Sequence, residues 1–163
     1  MITRRNTILA ATAALGLALA GAASAGPGKG HALNADENGV MLQGYDPVAY
    51  IQEESAVKGS DDIIAQHQGV TYHFASSENR DTFEANPAAY VPAYGGYCAM
   101  GTAMGLKLDV KPELFRVVDD RLYLNTAEGA QKKWLSDTSA HIRKADEKWA
   151  EIRDIPADQL EAN

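Results

Sequence analysis

The stretch YGGYCAMGTAMG, Tyr94 to Gly105, holds the single cysteine of a 163-residue chain, Cys98, with Met100 and Met104 close behind it. A thiolate and two thioethers are the soft donors that cuprous copper prefers, and His73 would add a nitrogen suited to copper or zinc. If the segment is helical, Met100 and Met104 share a face; if it is extended, Cys98 and Met100 do. This spacing permits a chelate without requiring one, and it is less specific than a paired Cys-x-x-Cys motif. Tyr72, Tyr94, Tyr97 and Asp46 could orient such ligands through hydrogen bonds. A second chemistry uses the same thiol, with Cys98 as nucleophile and His73 as its base in a thiol-based redox enzyme. The plain alternative is packing, since Met fills irregular core gaps and a cysteine beside Gly95-Gly96 can be a small buried residue. Neither a paired-carboxylate site nor a P-loop nor a GxGxxG run is present.

An unpaired thiol matters because of where the chain is expected to go. The N-terminus MITRRNTILAATAALGLALAGAASA has a basic start, an apolar run and a small-residue end, the pattern of a cleaved signal peptide over residues 1–25. Arg4-Arg5 resembles a twin-arginine signal, although two arginines also occur in ordinary basic leaders. The apolar run is alanine-rich and shorter than a membrane span needs, so no stable membrane insertion is expected after cleavage. Export to the periplasm, an oxidising compartment, leaves a lone thiol buried, coordinated or engaged in redox chemistry, and no internal disulfide can form.

Loss of residues 1–25 removes two arginines and no acid, leaving 13 basic residues against 22 acidic ones, a net charge of −9. Nucleic acid is excluded as a partner on that balance, because phosphate binding needs clustered Lys and Arg. What remains is long enough for one domain with its own core.

The elements that must position Cys98 and His73 can be read in order. Residues 26–43 are glycine-rich and polar and predict a flexible leader containing His31. Asp46-Pro47 predicts a helix start, Asp as cap and Pro as first residue, for a short helix Pro47–Ile51. DIIAQHQGVTYHF predicts a hairpin turning at Gln68-Gly69, pairing Ile64 with His73 and Ile63 with Phe74, with Val70, Tyr72 and Phe74 on the core face. Ser77 is read as the cap of a helix over Glu78–Ala85. LFRVVDDRLYLN predicts a second hairpin turning at Asp119-Asp120, with Phe115, Val117, Leu122 and Leu124 as inward or cross-strand residues. From Ala127 to Arg153 the chain reads as helical, with a core stripe of Trp134, Leu135, Ile142, Ala145, Trp149 and Ile152. The fold class is therefore α+β: a small antiparallel sheet of two hairpins, a short central helix and a long helical C-terminal region, with 156–163 as a tail.

The runs GYDPVAYI and GVTYHFASSENRDTFEANPAAYVPAYGGYCAMG resemble the YHS-domain family, in particular its exported single-domain bacterial members. The resemblance spans about Gly44 to Gly105 and continues into the C-terminal helical part, so that 44–155 reads as one YHS-type domain. It implies a metal-binding function of the kind served by related domains on heavy-metal pumps, where cysteines are ligands. Those cysteines would fall near Ala49, Ala75 and Asn79 here, and none is a cysteine. The expectation is an exported, non-catalytic domain that binds a soft or borderline ion, copper first and zinc second, in metal handling or sensing, through Cys98, His73, Met100 and Met104. A metal-free protein-interaction module is the third possibility, with the acidic leader and the helical tail as the partner surface.

Overall fold

Two left-handed turns set the two hairpins. In the computed structural model, which describes residues 32–160, Gln68 and Gly69 both adopt positive φ (52° and 80°), as do Asp119 and Asp120 (49° and 57°). Two consecutive residues of that hand match the right-handed twist of paired strands, which is why both loops are two residues long. The first joins β1 (Ser60–His67) to β2 (Val70–Phe74) and the second joins β3 (Lys111–Val118) to β4 (Arg121–Asn125), all antiparallel. Residues 1–31 and 161–163 lie outside the described residues, and with them the signal peptide, Arg4-Arg5, His31 and part of the expected leader and tail.

The expected single sheet of two hairpins is instead two separate two-stranded sheets. Each hairpin has a neighbour other than the second hairpin. Val40 bridges Thr71 of β2, with Met41 N donating to Thr71 O at 2.8 Å, and Cys98 bridges Leu124 of β4. The pairing of Ile64 with His73 is as read, but Phe74 faces Ser60, not Ile63, because β1 carries an irregularity between Ser60 and Ile64. Such an insertion bends the strand and leaves residues unpaired, and alternation alone does not reveal it.

The short helix is α1 (Pro47–Gln52), and α2 spans Ser77–Ala85. Its cap is Ser76, whose hydroxyl accepts from Asn79 N, one residue before the expected Ser77. Of the helical and extended alternatives for the segment after Cys98, the helical one holds: α3 (Ala99–Ala103) follows Cys98 directly. The long C-terminal helix divides into α4 (Glu128–Ser136) and α5 (Thr138–Ile152), because Asp137 leaves helical geometry and its carboxylate caps Ala140 N at 3.0 Å. Trp134, Ala145 and Ile152 are buried as expected, but Leu135 is 41% exposed, because it points about 100° round α4 from the buried Trp134.

Residues 32–43 are not a loose leader. Asn34 N donates to Gly95 O at 2.8 Å, Ala35 bridges Met41, and Ala35, Met41 and Leu42 are buried in the main core. A side chain at Gly95 would collide with the Ala32 carbonyl, so the glycine lets this segment cross the Tyr94–Gly96 turn. The main core packs Val70, Tyr72 and Phe74 of β2 with Phe83, Tyr50 and Leu124; a second cluster gathers Trp134, Tyr123, Tyr94 and Ala145 under α5. Among the described residues no helix is long and apolar enough to cross a membrane.

Burial of the aromatic core gives the protein an alkaline weakness. Burial, the largest cause in each case, pushes the phenols of Tyr50, Tyr72 and Tyr94 well above their ordinary 10.0, and it raises the Cys98 thiol above 9.0. Each group holds its proton more tightly folded than unfolded, so its contribution is complete below the unfolded value and is lost as pH rises through and above it. Lys107 is lowered by burial and acts in the opposite direction, adding stability as pH approaches 10.5. The phenols of Tyr45 and Tyr123 are raised as well, so the groups that lose stability outweigh Lys107, and the thermal midpoint is expected to fall steadily between about pH 9 and about pH 11. Calorimetry across that range checks it, and a midpoint that rises would contradict it.

Candidate functional site

Cys98 sits at the join of the two clusters as the cap of α3. Its Sγ accepts from Gly101 N at 3.3 Å, its own N–H donates to Leu108 O at 3.0 Å, and its carbonyl accepts from both Thr102 N and Thr102 Oγ1. The residue is wholly inaccessible to solvent. Asn125, at the end of β4, completes the environment. Its Oδ1 lies 3.7 Å from Cys98 Sγ and 3.4 Å from Met100 N, so the thiol donates while the carbonyl oxygen accepts. Asn125 Nδ2 is buried with no hydrogen-bond partner among the described residues. Sequence reasoning missed Asn125 because its relation to Cys98 is made only by the bridge between β4 and residue 98.

A reactive thiol needs access and a depressed pKa. Cys98 has neither: burial raises it, and the N–H groups of Gly101, Thr126 and Met100 offset that only in part.

The four expected ligands are not gathered at one point. Met100 is half-buried and packs against both core clusters, and its backbone N–H is one of those at the Cys98 sulfur. Met104 follows α3 as its C-terminal cap and is 60% exposed. His73 lies on the face of β2 opposite Tyr72 and Phe74, lining an open polar cleft with Gly44 and Lys58. Among the described residues no group of three or more His, Cys, Asp or Glu side chains could hold a metal ion.

The residues expected to orient those ligands are also engaged elsewhere. Tyr94 donates its hydroxyl to Asp146 of α5 at 2.9 Å, Tyr97 donates to Leu33 O at 3.3 Å, and Tyr72 packs its ring on Phe83 with 4.8 Å between centroids. Asp46 is fully buried. Its Oδ1 accepts from Val48 N (2.8 Å) and Ala49 N (3.2 Å), and its Oδ2 from Ala75 N (2.8 Å) and Asn79 Nδ2 (2.7 Å). One carboxylate thus ties the start of α1 to the end of β2 and to α2.

Lys107, also absent from the sequence reading, is a buried cation with a structural task. Its ammonium donates to Arg153 O at 2.7 Å and Ile155 O at 2.5 Å, just beyond the C-terminus of α5, and lies over the rings of Tyr97 and Trp149. Carbonyls left open at a helix C-terminus are the natural acceptors for such a group.

No protein-family model, no curated protein and no solved structure matches this chain.

Proposed function

We propose that this chain is an exported YHS-type domain that works by recognition, with neither a catalytic thiol nor a resident metal. The observation that carries the reading is the enclosure of Cys98: its sulfur is inaccessible, hydrogen-bonded to Gly101 N and Asn125, and raised in pKa. Thiol catalysis would need a base beside the sulfur, and His73 stands on the outward face of another hairpin.

Export rests on the basic, apolar and small-residue pattern of residues 1–25, and the family reading on GYDPVAYI with the YHF run. The positions where that resemblance puts the relatives' cysteine ligands are those whose N–H groups point at one carboxylate here, Ala49, Ala75 and Asn79 around Asp46. Four donors converge there on the two Asp46 oxygens, so the site is filled by hydrogen bonds and offers no thiolate where the relatives have one.

A second reading is favoured by the place of Met100 two residues after Cys98, with its backbone N–H at the Cys98 sulfur: a cuprous ion held by those two soft donors, with zinc, which prefers four ligands, less suited. Thermal unfolding of the reduced protein with and without cuprous copper or zinc separates the two. The recognition reading predicts an unchanged midpoint, because only an ion that binds the native state shifts it. A rise that disappears in Cys98→Ser would overturn it in favour of the metal.

A further inference from the structure

The cleft that holds His73 is built from residues of both charge signs. It is lined by His73 of β2, by residues of the Asp36–Gly44 loop, and by Lys58 and Gly59 with the start of β1 at Ser60 and Asp61. Lys58 and His73 converge on Gly44: a methyl group there would lie 3.2 Å from His73 Nδ1 and 3.3 Å from Lys58 Nζ, so the two nitrogens are no farther apart than the sum of those distances. Gly44 has a φ of +79°, and a methyl at Gly59 would approach the His73 backbone to 2.5 Å. Both glycines therefore let the loop close against His73. The Lys58 ammonium donates to the Gln43 carbonyl, which fixes its position while using one of three donors, and lies 4.9 Å from the centre of the Tyr45 ring. An imidazole can donate a hydrogen bond whether neutral or charged.

Asp36 and Asp61 line the same cleft. Asp36 is held in place through one oxygen, which accepts from Asn38 N and Val40 N, both at 2.9 Å. A bare cation here would meet Lys58, and a polyanion would meet both carboxylates. A molecule carrying one charge of each sign suits both pairs. The cleft volume of about 420 Å³ falls within the range of small-molecule sites.

We infer that this cleft binds a small zwitterion of the α-amino-acid type, its carboxylate against Lys58 and His73 and its ammonium against Asp36 and Asp61. The inference rests on the recognition reading above and gives it a ligand class.

The test is an amide chemical-shift titration of the ¹⁵N-labelled protein with glycine, L-alanine and L-glutamine, up to on the order of 10 mM. Acetate and methylammonium serve as the two half-ligands. Saturable shifts are expected at Gly44, Gly59 and His73, with affinity at least about tenfold lower for either half-ligand and for the exposed-site variants Lys58→Met and Asp61→Asn. Lys58→Gln replaces Lys58→Met should the latter disturb the rest of the spectrum. Absence of saturable shifts with all three amino acids overturns the inference. So does acetate binding as tightly as the whole zwitterion, the mark of a simple anion site, or stoichiometric zinc binding at His73. Zinc binding at His73 would also count against the recognition reading, through a midpoint raised by zinc, whereas the other two outcomes leave the metal dependence and reactivity of Cys98 untouched, and the recognition reading then stands or falls on its own tests.

Discussion

Asp46→Ala is expected to lower the unfolding free energy by about 4 kcal/mol, the largest loss from any single substitution considered for this protein. The carboxylate accepts four N–H donors in a fully buried position, and two of them belong to the first turn of α1. Loss of a helix cap alone costs roughly 1 kcal/mol. The rest comes from Ala75 N and Asn79 Nδ2, which would stay buried without an acceptor, at about 1–3 kcal/mol each. Asp46→Asn separates these parts. Its carbonyl oxygen can still cap Val48 and Ala49, whereas its amide would set a donor against the two remaining donors, so a loss of about 2 kcal/mol is expected. Denaturant titration measures both. A loss below about 1 kcal/mol for Asp46→Ala, the scale of a cap by itself, would show that Asp46 does not link α1, β2 and α2.

Half of that arrangement is legible in the sequence and half is not. Asp46-Pro47 announces a capped helix because both signals are local: the side chain reaches N–H groups two and three residues on, and Pro fits the first turn. Ala75 and Asn79 lie about thirty residues away, and nothing in their types marks them as donors to Asp46. The same division recurs elsewhere. Gln68-Gly69 and Asp119-Asp120 were readable as turns, and alternation placed Tyr72 inward and His73 outward, because these follow from neighbouring residues. The separation of the hairpins into two sheets was hidden, since it depends on residues 39–41 and 98 reaching strand residues far along the chain.

Two misreadings have compositional causes. The glycines of residues 26–43 masked Ala35, Met41 and Leu42, three apolar residues too few and too irregular to show a period yet enough to anchor the segment in the core. Helix α3 stayed open between helical and extended readings because AMGTA is short, contains a glycine and begins at a cysteine, which is not a usual cap. The helical alternative puts Met100 and Met104 on one face as a ligand pattern. In the structure, Met104 ends the helix in solvent and Cys98 begins it in the core. The break at Asp137 did carry a local sign: Ser136-Asp137-Thr138 is a run of cap-forming residues inside an otherwise helical stretch.

The second large effect concerns the thiol itself, and alkylation of native Cys98 by iodoacetamide is the measurement to make. Because the sulfur is inaccessible and its pKa is raised, reaction requires the protein to open. With a stability of even about 5 kcal/mol, opening by global unfolding suppresses the rate at least about a thousandfold relative to the unfolded chain. The native rate is expected to show that suppression near neutral pH and to rise with denaturant in step with loss of structure. A native thiol that reacts as fast as the unfolded one, or whose reaction persists below pH 7, would contradict the placement of Cys98 as a structural residue and return thiol chemistry to the centre of this protein's function.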